Sequence, residues 1–144
     1  MRRKHVLLTG GTGGLGMGVT PEVLSRGAAS VTLPYVNARD VERLKGILAP
    51  ADVARLRFVA TDLTNEAAVQ ALVADMERVD VLIHLVGGFS MGATHEYGYD
   101  QWKKDLALNL NTTFLVCTPL TLFFAIKLNC LFSSMTFAGS WIKL

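Results

Sequence analysis

A glycine-rich loop directly behind an apolar stretch is the feature that most constrains the fold of this chain. Residues 6–8 are Val-Leu-Leu, and residues 9–16 continue as Thr-Gly-Gly-Thr-Gly-Gly-Leu-Gly. Glycine permits tight turns and a close backbone approach to a ligand. A helix that follows such a loop offers free N–H groups and the positive end of its dipole. The sequence therefore predicts a phosphate-binding strand–loop–helix unit.

Two glycine spacings fit this loop. The pattern G-x-G-x-x-G runs from Gly11 to Gly16, and the pattern T-G-x-x-x-G-x-G uses Thr9, Gly10, Gly14 and Gly16. The phosphate-binding loop of a nucleoside triphosphatase would end in Gly-Lys-Ser/Thr, whereas Met17 follows Gly16 here. The alternatives are therefore a dinucleotide-binding loop and a glycine-rich loop without a ligand.

The start of the first helix is open to two interpretations. The glycine motif places it directly after the loop. Thr20 and Pro21 instead favour a later start, with the threonine as N-cap and the proline in the first helical position. A late start would leave fewer helix N–H groups near a phosphate.

Strand and helix patterns alternate along the chain. Apolar runs predict strands over residues 5–9, 30–36, 57–61, 79–86 and 128–132. Helical spacing predicts a helix that ends near residue 27 and further helices over residues 40–48, 65–76 and 102–115. Strands that are apolar on both faces indicate an α/β fold in which helices cover a parallel sheet.

Composition narrows the function classes. The net charge is +2, and 51% of the 144 residues are hydrophobic, which favours a folded domain without a nucleic-acid or membrane-surface partner. Cys117 and Cys130 lack metal-ligand or redox spacing and indicate reduced thiols in the cytoplasm. Residues 118–144 carry only two charges, Lys127 and Lys143. We therefore divide the chain into residues 1–117 and an atypical apolar tail, residues 118–144. The tail is interpreted either as a native segment with a fifth strand or as the result of a truncation or altered reading frame.

Four motifs in order resemble the short-chain dehydrogenase/reductase family over roughly residues 5–117. They are the glycine motif of residues 9–16, the pair Asp62-Leu63 after the third strand, the fourth strand with its closing glycine, and Asn109. Of the family's Asn-Asn-Ala-Gly motif, this chain keeps only the glycine, since His84, Leu85 and Val86 precede Gly87. The resemblance implies a Rossmann-like doubly wound parallel sheet, here truncated after about five strands.

The resemblance also implies a nicotinamide dinucleotide site. Its residues would be Thr9, Gly10, Gly14, Leu15, Gly16, Arg39, Asp62, Leu63, Val86 and Gly87. In the family, an aspartate in the position of Asp62 binds the adenine; the alternative here is a cap on the helix near Asn65. His84 is interpreted as an ordinary strand residue.

The cofactor preference depends on the residues after the second strand. An acidic side chain there would bind the ribose hydroxyls of NAD and repel the additional phosphate of NADP. Residues 35–39 contain no acid before Asp40, and Arg39 could pair with a 2′-phosphate or simply face solvent. We therefore expect NADP rather than NAD.

The family's catalytic residues are only partly matched. The resemblance implies that Asn109 is structural and catalytic, and that Ser134 orients the substrate oxygen. The helical stripe that carries Asn109 predicts that its amide is buried. The family's Tyr-x-x-x-Lys follows the asparagine, but all three tyrosines here precede it. Tyr99 and Lys103 have the right spacing in the wrong order.

The resemblance implies an NAD(P)-dependent oxidoreductase that transfers hydride between the nicotinamide and a small carbonyl or alcohol, truncated before its catalytic Tyr-Lys. The alternatives are a non-catalytic dinucleotide-binding module and an inactive fragment. A methyltransferase is a more distant alternative, disfavoured by Asp62 and Asn109. We also expect the apolar tail, with Phe123, Phe132 and Trp141, to cause self-association.

Overall fold

The computed structural model describes residues 2–121 as alternating strands and helices. The strands are β1 (His5–Thr9), β2 (Ser30–Tyr35), β3 (Leu56–Ala60) and β4 (Val81–His84). The α-helices are α1 (Gly16–Ser25), α2 (Ala38–Gly46), α3 (Pro50–Val53), α4 (Glu66–Ala74) and α5 (Tyr99–Leu106). A 3-10 turn (Thr94–Glu96) precedes α5, and a π-helical turn (Ala107–Asn111) follows it and leads into helix over residues 112–121.

The four strands form one parallel sheet in the order β3-β2-β1-β4. Val6 in β1 lies opposite Val31 of β2 on one side and Val81 of β4 on the other. β2 and β3 are added on one side of β1, whereas β4 is added on the other side. The connections on the two sides diverge, which leaves a crevice beside the carboxyl end of β1. Ligands bind at such a point in open α/β sheets.

Two apolar layers cover the two faces of the sheet. Leu7 packs with α4 and the helix of residues 112–121, through residues such as Val69, Leu72, Val116 and Leu120. The neighbouring β1 residues Val6 and Leu8 point the other way and pack with α1 and α2, through Val23, Leu24 and Leu44. Helices therefore cover both faces, which confirms the Rossmann-like doubly wound fold. The predicted strand over residues 128–132 and the tail beyond residue 121 lie outside the described residues.

The first helix starts at Gly16, so the later start at Thr20-Pro21 is wrong. Pro21 lies inside α1. The Thr20 hydroxyl is buried and donates to the carbonyl oxygen of Gly11 at 2.9 Å. Thr20 therefore does not cap α1, because its side chain bonds the glycine loop instead.

The other predicted boundaries shift by a few residues. β4 ends at His84 rather than at residue 86, and the helix predicted over residues 102–115 begins earlier, at Tyr99. The short helix α3 was not predicted; it begins with a proline in its first turn.

Candidate dinucleotide-binding site

A cleft of about 370 Å³ opens at the carboxyl ends of the strands. Its lining residues come from the glycine loop, the ends of β2 and β3, the segment after β4, and the helix after α5. They are Gly10, Thr12, Gly13, Gly14, Leu15, Pro34, Tyr35, Val36, Asn37, Asp40, Thr61, Asp62, Leu63, Thr64, Leu85, Val86, Gly87, Leu108 and Thr112. Most of the predicted cofactor residues therefore share one cleft, while Thr9, Gly16 and Arg39 lie outside its lining.

Neighbouring backbone lies so close to the glycine loop that it excludes a side chain at two positions. Gly10 has φ +72°, and a Cβ there would lie 3.0 Å from the backbone of Leu85 and Val86. A Cβ on Gly16 would lie 2.3 Å from the carbonyl oxygen of Gly10. By contrast, a Cβ on Gly14 would meet no atom within 4 Å, because Gly14 faces the open cleft. The loop is thus compact underneath and bare on the side that a ligand would approach.

Thr9 supports the loop from below and does not line the cleft. It is fully buried, and its hydroxyl lies 2.7 Å from Nδ1 of His84 on the adjacent strand. The other ring nitrogen of His84, Nε2, is buried and has no hydrogen-bond partner among the described residues. Burial lowers the pKa of His84 below its ordinary value, which favours the neutral ring. His84 is therefore a structural link between β1 and β4.

Asp62 lies at the end of β3, where its side chain forms a local turn. Its Oδ1 accepts hydrogen bonds from the backbone N–H of Thr64 at 2.9 Å and from the Thr64 hydroxyl at 2.7 Å. Both bonds lower the pKa of Asp62, and the bond from the Thr64 hydroxyl has the larger effect. The alternative role as a helix cap is taken by Asn65, whose Oδ1 accepts from the N–H of Ala68 at 3.0 Å. Asp62 thus presents an ionised carboxylate to the cleft.

The end of β2 contributes cleft residues that the sequence motifs do not identify as binding residues. Tyr35, Val36 and Asn37 line the cleft, and Asn37 caps α2 by accepting from the N–H of Arg39 at 3.0 Å. Arg39 itself is exposed. Asp40 also lines the cleft, and its Oδ1 lies 3.7 Å from Nη1 of Arg43. The position of these residues at the carboxyl end of β2 was the signal that could have identified them.

Asn109 connects the helix after α5 to the segment after β4. Its Nδ2 donates to the carbonyl oxygens of Gly88 and Asp105, both at 2.7 Å, and its Oδ1 accepts from the N–H of Gly88 at 3.0 Å. The predicted burial of Asn109 is wrong: the residue is exposed, although its amide bonds the backbone of Gly88 in the segment after β4. A Cβ on Gly87 would lie 2.9 Å from Oδ1 of Asn109, which explains a glycine there.

The Tyr99 and Lys103 pair lies away from the cleft. Tyr99 is 71% exposed and stacks on Trp102, with 5.6 Å between the ring centroids. Lys103 Nζ lies over the Tyr99 ring, 4.8 Å from its centroid, and pairs with Asp100. Ser134, the predicted catalytic serine, lies outside the described residues.

Two other kinds of site are not found within residues 2–121. No group of three or more His, Cys, Asp or Glu side chains there could hold a metal ion. In the same part of the chain, every helix is too short or too polar to cross a membrane.

Comparison with known proteins identifies the family. A family model described as short chain dehydrogenase matches residues 4–125. The chain belongs to the short-chain dehydrogenase family. It is 30% identical to a D-threitol dehydrogenase of Mycolicibacterium smegmatis over 118 residues and 32% identical to an acetoacetyl-CoA reductase of an Acinetobacter species over 121 residues. These alignments cover 79% and 81% of this chain.

Solved structures of the family show the same architecture. A short-chain dehydrogenase/reductase from Burkholderia xenovorans superposes with a TM-score of 0.78 at 27% identity, over 88% of this chain and 51% of that one. A dehydrogenase from Burkholderia cenocepacia with bound NADP superposes with a TM-score of 0.73 at 25% identity, over 83% and 47%. The chain also spans only 45% and 49% of the two enzymes above, about half of the curated relatives it matches.

Proposed function

We propose that this chain binds a nicotinamide dinucleotide in the cleft, as the cofactor-binding part of an oxidoreductase. The observation that carries the proposal is the shape of the glycine loop. Gly10 and Gly16 close it against neighbouring backbone, whereas Gly14 stands open beside the start of α1. A pyrophosphate can approach such a surface, because backbone and helix N–H groups are reachable there without interfering side chains.

The other cleft residues take roles that suit the two halves of the cofactor. Asp62 and Leu63, at the end of β3, would hold the adenosine half. Since β4 lies on the opposite side of β1 from β2 and β3, the nicotinamide half would extend toward Val86 and Gly87. The bound cofactor would supply the hydride that is exchanged with a carbonyl or alcohol. Asn109 would keep the backbone beside the nicotinamide half in place.

Preference for NADP over NAD is part of this proposal. The end of β2 presents Tyr35, Val36 and Asn37 to the cleft rather than a carboxylate, and Arg39 is exposed immediately beside them. Asp40 opposes this preference, but Arg43 lies close enough to balance part of its charge. The NADP bound to the B. cenocepacia relative is compatible with it.

Titration with NADPH and NADH tests both the binding site and the cofactor preference. Gly14→Val places a branched side chain on the open cleft surface, and we expect NADPH affinity to fall at least about tenfold while thermal stability stays unchanged. Gly18→Val is the matched control, because Gly18 also has open space but lies outside the cleft lining. Equal NADPH affinity in wild type and Gly14→Val would contradict the site. Tighter binding of NADH than of NADPH would contradict only the cofactor preference.

A second candidate function is a dinucleotide-binding module without catalysis. The observation that favours it is that Tyr35, Tyr97 and Tyr99, the three tyrosines of the sequence, all precede Asn109. A positioned acid/base group contributes about 10²–10⁴-fold to rate. We expect NADPH binding by this 144-residue chain without efficient carbonyl reduction. Turnover that disappears in Tyr99→Phe would contradict this expectation. The cytoplasmic location, the small carbonyl or alcohol substrate, the role of Ser134 and self-association stay predictions.

A further inference from the structure

A hydrogen-bond cluster centred on Asp105 fixes the segment between β4 and α5. The segment, residues 85–98, has a single 3-10 turn as regular structure. The N–H of Ser90 donates to Oδ2 of Asp105 at 3.1 Å, and the Ser90 hydroxyl bonds Oδ1 at 3.0 Å. One carboxylate thus binds both the backbone and the side chain of the same segment residue.

Two further side chains complete this Asp105 cluster, which consists of Ser90, Tyr97, Gln101 and Asp105. The Tyr97 hydroxyl donates to Oδ2 of Asp105 at 2.5 Å. The Gln101 amide bonds the Ser90 hydroxyl and lies 3.4 Å from Oδ1. The bond from Tyr97 lowers the pKa of Asp105, and the same bond raises the pKa of Tyr97. Near neutral pH the cluster therefore pairs an ionised carboxylate with a protonated phenol.

The cluster acts one helical turn from the contact made by Asn109. Asn109 binds Gly88 and Asp105 binds Ser90, so two neighbouring points of the segment are tied to successive turns of one helical stretch. A segment attached at one point can pivot, whereas attachment at two points fixes its direction. Gly87, which lines the cleft, directly precedes the tied residues.

We infer that Asp105 is a positioning residue for the nicotinamide half of the cofactor. By fixing the direction of residues 87–90, it sets the cleft wall at Val86 and Gly87. The inference rests on the proposed function, since it assigns a role within the same cleft. With Ser90 turned toward Asp105, Phe89 and Met91 on either side are 80% and 88% exposed, so the cluster also decides which side chains the segment presents outward.

Asp105→Asn tests the inference, because it keeps the size of the side chain but replaces one acceptor oxygen by an NH₂ group. That group cannot accept the hydrogen bonds that Ser90 and Tyr97 donate. We expect the Kd for NADPH to rise about 5- to 30-fold, as one or two charge-assisted hydrogen bonds are lost. The Kd for ADP, which lacks the nicotinamide half, should change less than about twofold. Hydrogen exchange at the Ser90 amide should accelerate. The matched control is Asp100→Asn, which removes an exposed carboxylate of the same helix, paired with Lys103.

The possible results separate the inference from the proposed function. Unchanged NADPH affinity in Asp105→Asn would overturn the inference alone, even if Ser90 exchange accelerates. Equal weakening of NADPH and ADP would overturn it as well, because a role confined to one half predicts a difference. If Asp105→Asn does not fold, Tyr97→Phe removes one bond of the cluster and should weaken NADPH selectively by a smaller factor. A wild-type chain that binds neither NADPH, NADH nor ADP would overturn the proposed function and the inference with it.

Discussion

Two segments border the cleft, and they are fixed in different ways. The glycine loop after β1 is fixed by backbone contact: a Cβ on Gly16 would lie 2.3 Å from the carbonyl oxygen of Gly10. The segment after β4 is fixed by side chains of α5 and the following turn, through Asp105 and Asn109. The first segment has no room for a methyl group at its closure. The second carries the exposed side chains Phe89 and Met91 and depends on hydrogen bonds to the side chains of Asp105 and Asn109.

The difference determines which changes each segment tolerates. Steric closure is lost when an atom is added, because packed backbone cannot move aside without disturbing the sheet. Closure by hydrogen bonds is lost when a donor or acceptor side chain is removed, and water can replace part of the bond at an exposed site. We therefore expect substitutions at the closed positions of the glycine loop, Gly10 and Gly16, to cost more stability than substitutions at the second segment.

The largest expected effect is that of Gly16→Ala. The added methyl group would overlap backbone atoms of Gly10 and Gly11, and we expect the free energy of unfolding to fall by about 3 kcal/mol. Denaturant unfolding followed by circular dichroism measures this change. Gly18→Ala, which adds a methyl group to open space inside α1, should instead raise stability by about 0.5–1 kcal/mol. Equal stability of the two variants would show that steric contact does not fix the glycine loop.

Asn109→Ala should have the next largest effect. It removes the three hydrogen bonds that Asn109 makes with Gly88 and Asp105, at an exposed position. We expect a loss of about 1–2 kcal/mol in unfolding free energy, together with faster hydrogen exchange at the Gly88 amide. Asn111→Ala, an exposed neighbour in the same π-helical turn, serves as control. A loss as large as that of Gly16→Ala would mean that the two segments are fixed equally firmly.

The smallest expected effect is a pH dependence at His84, the residue that joins the bases of both segments. Its pKa is lowered in the folded chain from 6.5, so the unfolded chain binds the proton more tightly. Its contribution to stability is therefore complete above about pH 6.5 and is lost as the pH falls through the folded pKa. The slope from this group cannot exceed about 1.4 kcal/mol per pH unit.

Unfolding measured between pH 7.5 and 5.5 tests this expectation. The free energy of unfolding should decrease in wild type and decrease less in His84→Asn. The remaining histidines, His5 and His95, are common to both variants. Parallel pH profiles would show that protonation of His84 does not link the two segments.

The sequence predicted features that depend on local pattern. Strand apolarity and glycine spacing suffice for the parallel sheet and the tight loop, because both follow from residues close together in the chain. They also place Asp62 after β3 and Gly87 after β4, at the carboxyl ends of the strands where the cleft lies. The roles of these residues in cofactor binding stay predictions.

The errors and omissions involve contacts between distant residues. Thr20 looked like a helix cap because the sequence does not show its bond to Gly11. Asn109 looked buried because helical spacing does not reveal which neighbour a stripe faces. Asp105 was not singled out, since its role depends on Ser90, 15 residues earlier, and on the path of an irregular segment.

The position of β1 in the centre of the sheet has a consequence for folding kinetics. Both apolar layers need β1, because Leu7 faces one and Val6 and Leu8 face the other. Its pairing with β4 also closes a long loop: the N–H of His5 bonds the carboxylate of Asp80, 75 residues further along the chain. Such non-local pairings slow folding, because the entropy of loop closure is lost before the contacts form. The layer with α1 and α2 uses nearer residues, so we expect it to form first and the β4 edge to dock onto it.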